Sequence, residues 1–288
     1  MWSSTLLSRP PQTILITGAS GGLGLAAARQ LATSTATLVL GGSSASSANT
    51  AAEIVQNARP NCRVHPLVLN LQDLDQISNV QHALPADIGP IDILLLNAGV
   101  LHKHPQPLVH GTEAHMGINF IGHFALTRAL WPSIQAAPAP RIVHVCSMTS
   151  RFARIDTQRL TAQKGLPAYA TSKLANLIFA QTLARRSTHV ASIACQPGYV
   201  ATGLQRNLKL ARIGNPLLGR TPAAAAKILV QAATSTTLQS GDYIGPKYGL
   251  GLLGPAGLQR IDAIALAESH HRALWQFAEA QIGATFVV

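Results

Sequence analysis

Acidic side chains are scarce in this chain: 11 Asp and Glu stand against 22 Lys and Arg in 288 residues. The basic balance invites anions, yet there is no dense Lys/Arg run and no interleaving of such a run with aromatics, which are themselves only 5% of the chain. That pattern argues against nucleic acid as a partner and leaves a polyanionic small ligand, which a local field can hold. Cysteine is rarer still. Cys62, Cys146 and Cys195 are far apart, odd in number and without C-x-x-C spacing, which argues against a disulfide framework or zinc ribbon and for a reducing compartment. No apolar run approaches the roughly 18 to 20 residues of a membrane span, and Met1–Gln12 has no apolar stretch long enough for a secretory signal. The histidines form no metal pattern: His102 and His104 flank Lys103, and His110 with His115 has no third ligand in view. A soluble, cytoplasmic protein without a metal is the expectation.

What is present is apolar and regular. Hydrophobic residues make up 47% and charged ones 11%, enough for a sizeable core. Short apolar runs alternate with helix-like stretches, which predicts an α/β fold: a doubly wound, Rossmann-type parallel sheet of about seven strands with helices on both faces. Predicted strands cover 13–17, 37–40, 63–69, 91–97, 141–147, 190–196 and 242–244, and predicted helices 23–32, 48–58, 74–83, 113–135, 167–186 and 222–233. The chain reads as a tail, 1–12, and one domain, 13–288. The segment 199–221 breaks the rhythm with basic residues, glycine and proline, as a substrate lid would.

The first predicted strand runs into Thr17-Gly18-Ala19-Ser20-Gly21-Gly22-Leu23-Gly24 and then a helix. Glycines there allow a tight turn and let a pyrophosphate approach the free amides and positive end of the helix. Gly18-Ala19-Ser20-Gly21-Gly22 also fits the G-x-S-x-G elbow of a serine hydrolase, with Ser20 as nucleophile. An elbow needs a sheet already built upstream, and only one strand precedes Ser20.

Tyr169 and Lys173 lie four residues apart in a predicted helix, so they share a face. A free phenol titrates at about 10, and a neighbouring ammonium is expected to lower that value and make Tyr169 a usable general acid or base.

Taken in order, the glycine turn, Asn97-Ala98-Gly99, Ser147, Tyr169-x-x-x-Lys173 and Pro197-Gly198 resemble the short-chain dehydrogenase/reductase superfamily over roughly residues 13–245. Ile118-Asn119-Phe120-Ile121-Gly122-His123-Phe124, the segment Tyr169–Asn176 and the long interval from Ser147 to Tyr169 look like its retinol-dehydrogenase-like branch. The resemblance implies a catalytic tetrad. Tyr169 would exchange the proton with the substrate oxygen, and Ser147 would hydrogen-bond that oxygen. Lys173 would hold the nicotinamide ribose and tune Tyr169, while Asn119 would anchor a water in a proton relay. It also implies cofactor contacts from Gly18, Ser20, Gly21, Gly22, Leu23, Gly24, Ser43, Asn70, Leu71, Asn97, Ala98, Gly99, Tyr169, Lys173, Pro197, Gly198, Val200 and Thr202. A homo-oligomer is usual in the superfamily.

An acid ending the second strand would bind the 2′-hydroxyl of NAD and repel a 2′-phosphate. Leu38-Val39-Leu40-Gly41-Gly42-Ser43-Ser44 has none, which favours NADP, with NAD the alternative. The Arg usual in this branch is absent near Ser43, and Asn70-Leu71 replaces the common Asp-Leu. Met148, Phe152, Tyr199 and Leu204 are placed to form a partly apolar pocket for a carbonyl or alcohol substrate. Arg206, Lys209, Arg212 and Arg220 in the lid read as solvated. The rival functions are a noncatalytic dinucleotide sensor and the Ser20 hydrolase.

Overall fold

The apolar runs pair into one sheet because their backbone groups, buried from both sides, find partners only in neighbouring strands. The computed structural model describes residues 12–33, 36–102, 109, 111–156, 165–200 and 220–288. Its strands are β1 (Gln12–Thr17), β2 (Ala36–Gly42), β3 (Arg63–Val68), β4 (Ile91–Leu96), β5 (Arg141–Val145), β6 (Ala191–Cys195), β7 (Tyr243–Tyr248) and β8 (Leu253–Leu258). They follow the order β3-β2-β1-β4-β5-β6-β7-β8. Seven run parallel, and β8 pairs antiparallel with β7.

Helices α1 (Gly22–Leu31), α2 (Ala45–Ala58) and α8 (Pro222–Thr234) cover one face. Their buried alanines, among them Ala27, Ala28, Ala51 and Ala226, let them pack closely on Ile16, Leu38 and Val143. On the other face lie α6 (Gly122–Gln135), α7 (Gly165–Arg186) and α10 (Glu268–Ile282). The chain's few aromatics concentrate here, with Phe124 meeting Phe179, Trp275 and Phe286 at ring separations of 5.0 to 5.5 Å.

Several boundaries differ from the sequence reading. Gln12, placed in the tail, is the first residue of β1. The eighth strand was not anticipated, because Leu253-Gly254-Pro255-Ala256-Gly257-Leu258 lacks β-branched residues; its proline is tolerated on an edge. α2 begins three residues early, since Ser44 and Ser47 form a reciprocal cap. The helix expected over 74–83 breaks at Asn79 into α3 (Leu74–Ser78) and α4 (Val80–Ala83). The one expected over 113–135 is α5 (Ala114–Met116), a π turn over Gly117–Ile121 and then α6. A short α9 (Ala263–Leu266) precedes α10, and both lie beyond the predicted helices. Among the described residues, no helix is long and apolar enough to cross a membrane.

The strand order reverses between β1 and β4. In such sheets the loops leaving the carboxyl ends diverge there and open a crevice.

Candidate active site

That crevice is a cleft of about 670 Å³ running from the turn after β1 to the start of α7. Every residue selected from the sequence for cofactor contact and described in the structure lines it, as do Ser147, Tyr169 and Lys173. Thr202 lies outside the described residues, with Leu204, Arg206, Lys209 and Arg212. Asn119 does not line the cleft; it is fully buried behind the wall.

At one end the turn after β1 forms a cradle. Gly18 sits at φ +63°, a left-handed conformation that L side chains rarely adopt. A Cβ on Gly24 would strike the Gly18 carbonyl oxygen and come within 2.6 Å of Asn97 Nδ2. That amide donates to the carbonyls of Thr17 (2.9 Å) and Gly18 (3.2 Å), so Asn97 ties the end of β4 to the turn. Gly21 caps α1 without a side-chain hydrogen bond, and the first turn holds no acid. The amides there are free to meet an anion, and the cradle fits a pyrophosphate. Ser20 is exposed on this turn, and no histidine lines the cleft among the described residues, so a hydrolytic serine has no base here.

Farther along the cleft, Ser43 is exposed beyond β2 and Asn70 follows β3. Asn70 Oδ1 accepts from Gln72 N at 3.1 Å, and Asn70 N donates to Gln76 Oε1 at 2.6 Å. Among the described lining residues Lys173 is the single charged side chain.

The other end is built by β5 and α7. Ser147 caps a 3-10 turn over Met148–Phe152, accepting from Thr149 N (3.3 Å) and Thr149 Oγ1 (3.0 Å). Tyr169 lines the cleft with Ser147. Burial pushes the phenol up to about 12, with the Ser147 side chain acting in the opposite direction. The expected lowering by Lys173 is therefore overturned. The ammonium donates to Val145 O at 3.0 Å and stands over the Tyr169 ring, 5.9 Å from its centre. Burial brings Lys173 itself down to about 8.

Asn119 spends its carboxamide within the protein. Its Oδ1 accepts from Val100 N (2.8 Å), and its Nδ2 donates to Val100 O (3.1 Å) and Ser172 Oγ (3.0 Å). Ser172 in turn donates to the Tyr169 carbonyl at 2.7 Å. The side chain thus fixes the cleft-lining Val100 loop and α7 together.

Two further side chains support this wall and were missed. Glu113 accepts from His115 Nδ1 at 2.7 Å, and His115 Nε2 accepts from His102 N at 2.9 Å. The His115 ring meets Tyr169 edge-on, with centres 6.0 Å apart. Sequence offered only Glu113-Ala114-His115 at a helix start, and a histidine there carries no mark of its partners. Phe152 is 78% exposed and does not line the cleft, although it was expected in the pocket. Arg220, expected to be solvated, donates to Gly254 O (2.8 Å) and Ala224 O (3.3 Å) and so acts as a structural tie. Among the described residues no group of three or more His, Cys, Asp or Glu could hold a metal.

A family model described as short chain dehydrogenase matches residues 12–212. Retinol dehydrogenase 14 of Mus musculus is 31% identical, with 94% of this chain and 86% of that protein covered. Polyprenol dehydrogenase of Mus musculus is also 31% identical, covering 90% of this chain and 83% of its own length. The crystal structure of an uncharacterized protein from Mycobacterium paratuberculosis matches at TM-score 0.80 and 28% identity, over 97% of this chain and 96% of that one.

Proposed function

Because the chain belongs to the short-chain dehydrogenase family, we propose that it is an NADP(H)-preferring oxidoreductase acting on a carbonyl or alcohol carbon, with Tyr169 as the proton-exchanging group. The observation that carries this reading is that Tyr169, Ser147 and Lys173 line the same cleft as an open glycine cradle. When bound, the nicotinamide supplies or accepts the hydride.

The chain's own residues do the rest. The cradle from Gly18 to Gly24 and the α1 amides hold the pyrophosphate, while Asn97 keeps the turn in shape. Ser43 and neighbouring amides receive the 2′-phosphate, and no acid among the described lining residues opposes it. Ser147 donates to the substrate oxygen and stabilises charge as it develops there. Tyr169, held protonated by burial, delivers the proton when a carbonyl is reduced. Lys173 keeps the ribose in place beside it.

The substrate end is lined by Leu101, Ile118, Met148, Leu166 and Tyr199, which suits a neutral, largely apolar molecule. The relatives named for retinol and polyprenol support an apolar alcohol or its carbonyl.

Calorimetric titration with NADPH and NADH separately tests the cofactor. NADPH is expected to bind more tightly; a preference for NADH would overturn the cofactor assignment, and binding of neither would overturn the enzyme reading. Tyr169→Phe is expected to abolish turnover, by about 10²- to 10⁴-fold, with dinucleotide affinity retained. Substantial reductase activity in that variant would remove Tyr169 from the mechanism.

A further inference from the structure

His123 is fully buried on the first turn of α6, and the functional reading gives it no task. Its Nδ1 lies 3.0 Å from the Asn119 carbonyl oxygen, which can only accept, so Nδ1 must carry the hydrogen. Its Nε2 is then a bare acceptor, 3.0 Å from Thr17 Oγ1. The Thr17 hydroxyl has one hydrogen. The Leu95 carbonyl competes for it at 3.4 Å, but a buried imidazole nitrogen without a donor is the costlier loss. The same Thr17 oxygen accepts from Asn97 N (3.0 Å) and Ala98 N (2.9 Å).

The result is one continuous path. Asn97 and Thr17 shape the cradle; His123 joins Thr17 to the Asn119 backbone; Asn119 holds Val100 and Ser172; and Ser172 holds the Tyr169 carbonyl. Asn119 lies within the π turn over Gly117–Ile121. In a π turn the main-chain partner of a carbonyl lies five residues on, and a histidine four residues on folds back to the oxygen. Burial, and Lys173 nearby, keep the ring neutral by bringing its pKa down to about 3. The path therefore has one fixed set of donors and acceptors.

We propose that His123, locked as the Nδ1–H tautomer between Thr17 and Asn119, is a positioning residue that couples the dinucleotide cradle to the catalytic helix. The bonds themselves belong to the free protein; the coupling they carry rests on the dinucleotide reading above.

The experiment begins without ligand. Long-range ¹H–¹⁵N NMR of the purified protein is expected to show His123 as the neutral Nδ1–H tautomer from pH 5 to 8; an Nε2–H or doubly protonated ring overturns the proposal. Two variants then cut the path at different points. His123→Asn retains a donor near the Nδ1 position but does not reach Thr17. His123→Gln reaches Thr17 and leaves the Asn119 carbonyl. In free protein, His123→Asn is expected to speed hydrogen exchange at the Asn97 and Ala98 amides, and His123→Gln at the Val100 amide. Unchanged or identical exchange in the two variants overturns the proposal.

With NADPH, His123→Asn is expected to weaken dinucleotide affinity about tenfold more than it slows turnover, and His123→Gln to do the reverse. Equal losses of both in both variants would mean a general packing role and would overturn the coupling. Wild-type protein that binds neither dinucleotide would instead overturn the functional reading, while the tautomer and exchange patterns still decide the hydrogen-bond path.

Discussion

Lys173 brings an ammonium into a site where it is 4% exposed and donates to the Val145 carbonyl. Burial lowers its pKa from 10.5 to about 8, so between those values the folded chain holds fewer protons than the unfolded one. Stability contributed through this residue therefore rises with pH across that window, and at pH 8 and below the buried charge costs about 3 kcal/mol. Above pH 9 the buried thiol of Cys146 and phenol of Tyr169, both pushed up to about 12, work in the opposite sense. The comparison of wild type with Lys173→Met isolates the lysine. In urea titrations Lys173→Met is expected to be the more stable protein at pH 7, with the advantage shrinking toward pH 10. An advantage independent of pH would mean that the ammonium is not desolvated. The spacing of Tyr169 and Lys173 was legible because four residues make one helical turn. The direction of the tyrosine shift was not, because it depends on how much water the whole fold leaves around the phenol.

The segment from Glu113 to Gln135 shows what periodicity conveys about an element and what it omits. Its apolar spacing predicts a helix, and a helical run is there, but the π turn within it has no signature in hydrophobic pattern. The Asn119 carbonyl of that turn meets His123 Nδ1, and the Glu113–His115 pair at the front of the run holds the backbone of His102. Glu113 also accepts from His115 N at the start of α5. Glu113→Ala strips partners from the buried His115 ring and amide, so a loss of about 1–3 kcal/mol is expected in chemical denaturation. Arg272→Ala is the comparison, because its pair with Glu268 is exposed on α10 and is worth at most about 0.5 kcal/mol. Similar losses from both would show that the Glu113 bonds contribute little.

At the scale of the molecule, the sheet brings together residues separated by most of the chain. Thr17 and His123 meet because β1 and β4 are adjacent and α6 crosses above them. The same burial makes the fold sensitive to acid. His123 and His144 are both brought down to about 3 by burial, so each stays neutral in the folded protein while an unfolded histidine protonates below about 6.5. Unfolding must then take up protons, and stability falls as pH drops from about 6.5 toward 3, by up to about 1.4 kcal/mol per pH unit for each histidine. Denaturation in two buffers of different ionisation enthalpy at pH 5 is expected to show uptake of about two protons through these residues. No uptake would mean that the two rings are already charged or exposed.

The sequence by itself determined the alternation of strands and helices, the glycine turn after β1 and the shared helix face of Tyr169 and Lys173. Each follows from local geometry: the period of two in a strand, the period of 3.6 in a helix and the room that a missing Cβ leaves. Tertiary structure alone decided that Asn119 faces Val100 and Ser172, that Lys173 turns to Val145, and that His115 and His123 brace the cleft. A side chain's partners and its proton affinity are set by the atoms that surround it after folding, and in this cleft those atoms come from distant parts of the chain.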